Sequence, residues 1–314
     1  MRVGRIIWVL FFIFCFSWDA FAQWDPQISQ YWRVKTSFNP SFAAESDTLQ
    51  ASILHRMQWV GMPGAPKTSI VSADMPLDFL GRRHGVGIVM MTEKLGDFSN
   101  TTVSAQYVYK KKWKKNMINI GLQAGYASVG FDASKIESIE TEQELEYALP
   151  TGNTRSATFD AGLGVSWLGP NYYVGLSVTH LLQPSYDVSE ELVVDATRTY
   201  YFTGGYNIRF RNPLFQLQPS TLIKTDGTLV QYDVTARVIY NNIFNGGLSW
   251  RKDDGFVFLL GLNVFGFDAG YAYDLSTSAI SKASSGTHEF FLRYTIPMKK
   301  KKNGQYRHKS IRIL

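Results

Sequence analysis

After position 15 the chain holds no cysteine, because Cys15 is the only one in 314 residues. That excludes a disulfide framework and a thiolate metal site. HExxH is absent, and His55, His84, His180, His288 and His308 show no spacing that would set two ligands on one helix. Beyond the amino-terminal segment no run approaches the ~18 consecutive apolar residues of a membrane-crossing helix. Surplus charge is also missing from the body of the chain. The net charge is +6, but Lys299, Lys300, Lys301, Lys302, Arg307, Lys309 and Arg312 supply seven of the 32 basic residues, and the remaining 25 face 26 acidic ones. A nucleic-acid binder carries its basic excess on a folded face; here the body is neutral and the tail is basic, so no nucleic-acid partner is expected.

Residues 1–22 combine Arg2 and Arg5, an apolar core from Ile6 to Trp18, and Ala20-Phe21-Ala22 as a small-residue cleavage site. This reads as a secretory signal peptide, with a mature chain expected to start at Gln23. Cys15 follows Phe12-Ile13-Phe14, bulky residues unlike those before a lipoprotein cysteine, so no lipid anchor is expected there. A secreted chain that is 15% aromatic and has no spanning helix can enter a membrane only as a closed β-barrel, since lipid tolerates no unpaired backbone groups.

Fourteen strand-like runs support that class, beginning at Leu49, Lys67, Gly85, Asn100, Asn116, Ser156, Tyr172, Thr197, Leu214, Thr228, Ile243, Gly255, Phe267 and Thr287. Several alternate with the period of two that puts successive side chains on opposite faces. Val230, Tyr232, Val234, Ala236, Val238 and Tyr240 form one face of a strand; Gln231, Asp233, Thr235 and Arg237 fall on the other, with Leu229 and Ile239. The second face must point inward, because arginine at mid-bilayer on the lipid side costs ~2 to 4 kcal/mol. Phe159, Leu163, Val165 and Trp167 against Asp160, Gly162, Gly164 and Ser166 repeat the pattern. Gaps after even-numbered runs are short, while the longest, near 132–155 and 183–196, follow odd-numbered runs. Short turns belong to the periplasmic end of such barrels, which places both termini in the periplasm. A soluble β-sandwich would show charges on its outer face instead.

The first two runs are joined by a Pro/Gly turn within RMQWVGMPGAPKTSIVSADMPL, residues 56–77. Arg56, Gln58, Trp59, Gly61, Gly64, Ala65, Pro66, Lys67 and Thr68 resemble the RxQWxGxxGAPKT signature of the PorP/SprF family, outer-membrane proteins tied to type IX secretion and gliding. Upstream, Asp25, Pro26, Gln27, Ser29, Gln30, Tyr31, Asn39 and Pro40 resemble that family's DPQxSQY…NP pattern. They lie in an aperiodic stretch, Gln23 to Ala44, that reads as an ordered lead-in. Ala44 stands where the family pattern has a glycine, which puts the local turn in question. The resemblance implies a non-enzymatic part of the secretion machinery. It further implies support of export or surface retention of proteins with a carboxy-terminal sorting domain, and association with periplasmic lipoprotein and ring components. The competing class is a passive porin or hydrophobic-solute channel.

Other features carry less. Gly61, Gly64, Lys67 and Thr68 sketch a phosphate loop, but Pro63 and Pro66 delete two N–H donors and a strand follows where a helix is needed. His288-Glu289 reads as an interfacial pair rather than a ligand set. Gly85-x-Gly87 and Gly162-x-Gly164 sit inside strands, where glycine leaves lumen space or permits tilt. The run Lys110-Lys111-Lys112-Trp113-Lys114-Lys115 reads as a solvated periplasmic turn. The basic tail, 299–314, follows a barrel that could end at Ile296 and is expected to dock on a periplasmic partner or an anionic surface. The expected organisation is a signal peptide at 1–22, an outer-membrane barrel with its lead-in at 23–298, and the tail, with no catalytic, cofactor or metal residues.

Overall fold

The computed structural model describes residues 25–79, 81–132, 153–188 and 193–298. The proposed signal peptide and basic tail lie outside them. Strands β1 (Thr48–Met57), β2 (Lys67–Phe79), β3 (Arg82–Leu95), β4 (Phe98–Trp113), β5 (Asn116–Phe131), β6 (Thr154–Leu168) and β7 (Tyr172–Thr179) form one half of an antiparallel sheet. The other half contains β10 (Thr199–Tyr206), β11 (Ile208–Arg209), β12 (Phe215–Thr225), β13 (Val230–Tyr240), β14 (Phe244–Arg251), β15 (Gly255–Val264), β16 (Phe267–Ser276) and β17 (Thr287–Pro297). Both β10 and β11 pair with β12, so they are one barrel strand interrupted at Asn207. β1 pairs with β17, and the result is a closed 14-strand antiparallel barrel. β8 (Ser185–Asp187) and β9 (Val193–Asp195) make a separate small hairpin.

Each of the fourteen sequence runs coincides with a barrel strand, and the sidedness follows the alternation. Along β13 exposed and buried residues alternate from Val230 to Val238, with Asp233, Thr235 and Arg237 inside. Outside lies a coat of Phe, Tyr, Leu, Val and Trp, including Phe159, Trp167, Leu248 and Trp250, the surface a barrel turns toward lipid. Some strands outrun their expected ends. β4 pairs with β5 as far as Trp113 opposite Asn116, so the lysine-rich run is mostly strand and only Lys114 and Lys115 turn the chain.

At one end every connection is short, whereas the long ones all lie at the other, beside tight turns such as Gly96–Asp97 and Lys252–Asp254. At the first, here the turn end, Lys114–Lys115, Gly169–Asn171, Asn241–Ile243 and Phe265–Gly266 join strands tightly. At the other, the loop end, lie the β1–β2 loop of the Pro/Gly signature, the β8–β9 hairpin and the loop before β17. The hairpin packs Tyr186 and Val188 onto Ala127, Val129 and Phe131 of β5, covering part of the loop-end rim.

Candidate functional site

The lumen is filled by the chain's own residues 25–44. Tyr31, Asn39, Ser41 and Ala43 are fully buried there. The segment has the polar and turn-forming character that let it escape the strand pattern. Asn39 caps a short 3-10 turn, Pro40–Phe42, by accepting from the Ser41 amide at 3.0 Å, with Pro40 in its first position. Tyr31, Trp32 and Phe38 pack on Tyr201, Leu222, Val257, Leu259 and Ala272 of the wall. Ile28 and Val34 pack on Leu54, Ile70, Val89 and Phe291. The lumen wall is therefore partly apolar, because it faces protein as well as water. Glycines admit the plug at its closest approach: a Cβ on Gly121 would fall on the Pro40–Ser41 backbone, and one on its cross-strand partner Gly164 would fall on the Asn39 amide. The space expected inside strands at Gly162-x-Gly164 is thus occupied at Gly164.

At the loop end the plug is held by an ionic cluster. Glu289 of β17 accepts the backbone amides of Ser29 at 2.8 Å and Gln30 at 2.7 Å. Asp274 of β16 accepts the Ser29 hydroxyl at 2.7 Å. Arg56 of β1 bridges the two carboxylates, 2.8 Å from Asp274 and 3.3 Å from Glu289, and donates to Ser29 Oγ at 2.8 Å. Arg251 of β14 extends the cluster to Asp233 at 2.6 Å and Asp254 at 3.0 Å. Both guanidinium groups are 1% exposed. Charges this deep persist only when paired and hydrogen-bonded, so the plug amides complete the cluster.

The plug begins at a second anchor. Asp25 accepts from His180 Nε2 at 2.9 Å and from Thr179 Oγ1 at 3.0 Å, with Tyr201 Oη also donating to it, and its carbonyl accepts from Lys224 Nζ at 2.9 Å. His180 Nδ1 meets Asp160 at 2.7 Å. Burial alone would pull the His180 pKa down, but the carboxylates of Asp25 and Asp160 outweigh it and push it up to about 10. Burial likewise works against the Asp25 carboxylate, yet the His180 charge and the hydrogen bonds from His180 and Tyr201 hold it well below the usual range. Both ring nitrogens of His180 meet carboxylates, whereas a general base needs one for a hydroxyl nucleophile.

Toward the turn end the plug is held mainly through its backbone carbonyls, which accept from Gln106, Ser177, Asn119 and Ser166. Arg33 pairs with Asp268, and Lys35 with Glu45 at 2.5 Å. Ala44 has φ 55°, the left-handed conformation that favours glycine, which explains why a glycine belongs there. Lys110 Nζ donates to the Ala44 carbonyl, so Lys110 reaches inward while Lys111, Lys112, Lys114 and Lys115 are exposed. Between plug and wall a cavity of about 450 Å³ remains.

The two stretches of sequence resemblance meet in this site. Arg56 anchors Ser29, Gln27 approaches Arg251 at 3.5 Å, and Tyr31 Oη bonds Ser220 and Thr235. The rest of the Pro/Gly signature shapes the loop-end rim: Gly61 and Gly64 have φ of 99° and 70°, and the Val60 amide donates to Gly286. Lys67 opens a strand, against a phosphate loop. His288 and Glu289 do not form a pair. They point to opposite faces, His288 toward Tyr271 at 2.8 Å outside and Glu289 into the ionic cluster. Asp25 lies beside Thr179 and His180 at the loop end and Pro297 closes β17 at the turn end; residues 25–44 run through the lumen before β1 begins. Sequence reasoning missed Asp25, His180, Arg251, Asp233, Asp274 and Glu289 as a set. Their signal was inward charge in excess of what an apolar-lined barrel needs. Among the described residues no group of His, Cys, Asp and Glu could hold a metal ion.

Three solved barrels illustrate the structural likeness. A Pseudomonas aeruginosa FadL homologue is 10% identical, with a TM-score of 0.48 over 83% of this chain and 93% of the other. Omp33 of Acinetobacter baumannii is 8% identical, with 0.47 over 80% and 98%. The Ralstonia pickettii toluene transporter TbuX is 9% identical, with 0.47 over 83% and 92%. No curated protein sequence matches the chain. The model of the type IX secretion system membrane proteins PorP/SprF matches residues 20–294, which takes in both the plug and every strand that anchors it, and the chain belongs to that family.

Proposed function

We propose that the protein is a non-enzymatic, self-plugged outer-membrane anchor of type IX secretion. Its turn end faces the periplasm and engages periplasmic lipoprotein and ring components, and it supports export or surface retention of proteins with carboxy-terminal sorting domains. The observation that carries this reading is the lumen filled by residues 25–44 and locked by buried charges. A porin or hydrophobic-solute channel works through a continuous path lined for its solute, whereas the inward charges of Arg56, Arg251, Asp274 and Glu289 are spent on the plug. The short turns favour the same orientation, and the basic tail Lys299–Leu314 then extends into the periplasm as a docking segment.

Purification from native membranes after crosslinking tests the reading. Secretion components should co-purify with the intact protein, and deletion of 299–314 should weaken their capture while leaving a heat-modifiable barrel. A lone conductive oligomer would overturn it in favour of a channel. Tags give the orientation: one near Gly152 should be labelled on intact cells and one near Lys112 should not.

A further inference from the structure

The cavity at the turn end is lined by polar groups that the protein leaves unmatched. Trp32 Nε1, Arg33 Nε and Arg237 Nε are buried donors without a protein acceptor, and Asn207 Oδ1 is a buried acceptor without a donor. Trp32, Arg33 and Arg237 are each at most 9% exposed. Four cationic side chains border the space, but only two have carboxylate partners: Arg33 with Asp268 and Lys35 with Glu45. Arg237 reaches Gln218 at 2.9 Å and lies 4.2 Å over the Trp32 ring, and Arg293 donates to the Arg33 backbone carbonyl. Neither guanidinium has an ion pair within 4.0 Å among the described residues. This contrasts with the loop end, where Arg56 and Arg251 are each paired with carboxylates.

The mouth carries Asn171, Asn242 and Asn263, amides suited to peptide groups. Around it the same rim exposes Arg82, Lys111, Lys112, Lys114, Lys115 and Arg209. At about 30 Å³ per water in the liquid, the cavity's 450 Å³ has room for one or two acidic side chains with their bridging waters. The chain's own tail is an unsuitable occupant, because its lysines and arginines would meet two unpaired guanidinium groups. Phospholipid phosphates lie outside the barrel wall and cannot reach an axial cavity.

We infer that this cavity is a receptor for the carboxylates of an acidic polypeptide segment, presented axially from the side of the short turns. Arg237 and Arg293 hold the carboxylates, Trp32 Nε1–H adds a neutral donor, and the mouth asparagines hold the segment's backbone. Bidentate guanidinium pairing gives geometric selectivity, and the basic rim draws the segment in at close range. The inference deepens the proposed function by giving the chemistry of the contact at that end, yet its test needs no secretion.

The full-length protein in nanodiscs is titrated with a fluorescent oligoglutamate and with an oligoglutamine of equal length, read by anisotropy. The acidic peptide should bind saturably, and Arg237→Gln with Arg293→Gln should weaken it about tenfold or more, as loss of charge-assisted pairs implies. Lys114→Gln with Lys115→Gln should change it by about threefold or less, as exposed charges do. Should the arginine variant lose its heat-modifiable form, Trp32→Phe and Arg237→Lys each serve in its place and should weaken binding with the barrel intact. Equal binding of both peptides, no binding of either, loss through the lysine pair alone, or binding of acetate without the acidic peptide would each overturn the inference. Normal secretion after tail deletion would count against the proposed function and leave this result standing.

Discussion

The two ends of the lumen treat charge in opposite ways. At the loop end Arg56 and Arg251 are wholly buried and matched by Asp233, Asp254, Asp274 and Glu289, with the Ser29 and Gln30 amides filling the remaining acceptor sites. At the turn end Arg237 is buried and Arg293 half-buried, both without an ion pair among the described residues, beside a cavity. A paired interior charge is a fastening, because separating it leaves an uncompensated ion in a low dielectric. An unpaired one is a demand for a partner. One end of this barrel is therefore built to stay shut, and the other to receive.

The largest expected effect comes from removing the plug. Deleting residues 25–44 behind an intact signal segment should convert a silent barrel into a conducting one in planar bilayers; unchanged silence would place the seal elsewhere. Next, Arg56→Ala should destabilise the loop-end fastening by ~3 to 5 kcal/mol, whereas Arg237→Ala, which loses a hydrogen bond to Gln218, should cost about 1 kcal/mol. Reaction of an Ile28→Cys reporter with a membrane-impermeant thiol reagent reads both, since Cys15 is the only native cysteine. Equal effects would erase the contrast between the ends.

A third test uses pH. Because the His180 pKa is raised to about 10, its contribution is fully present below the unfolded value of ~6.5 and is lost as pH rises through the folded one. Asp25, Asp160 and the nearby Lys224 and Tyr201 are the groups it faces. Reporter labelling near Asp25 should rise between pH 6.5 and about 10 in the native protein and stay flat in His180→Gln. The smallest effect is expected at Ala44→Gly. There φ of 55° should cease to cost ~1 kcal/mol, raising the temperature at which the barrel loses its heat-modifiable form.

The barrel was readable because its rule is local. A period of two, repeated over fourteen runs and punctuated by Gly, Pro and Asn, determines strand and sidedness together. Residues such as Val230 to Tyr240 need no knowledge of distant partners. The plug follows no such rule. Gln23 to Ala44 has no periodicity, and the partners of residues 25–44 lie on β1, β2, β4, β5, β6, β7, β10, β12, β13, β14, β16 and β17, up to 260 residues away. Only indirect traces existed: the inward Gly121 and Gly164, which leave room without saying for what, and inward Glu289 and Asp274, which need a cation that sequence cannot assign. Resemblance linked Asp25–Tyr31 and Arg56–Thr68 as parts of one family pattern, but not as parts of one site.

The position of Arg56 also bears on how the barrel assembles. Arg56 and Glu289 are direct cross-strand partners in the β1–β17 seam, the pairing that joins the first strand to the last and carries the largest loop-closure cost of any in the sheet. Glu289 is also the residue that grips the Ser29 and Gln30 amides. Closing the seam over an empty lumen would bury that carboxylate with acceptor sites unfilled. Closing it over residues 25–44 satisfies seam and lumen in one step. Residues 25–44 are thus the mandrel around which the last pair of strands is brought together, and a chain without them would be slowest at the step where an open sheet is most exposed to mispairing.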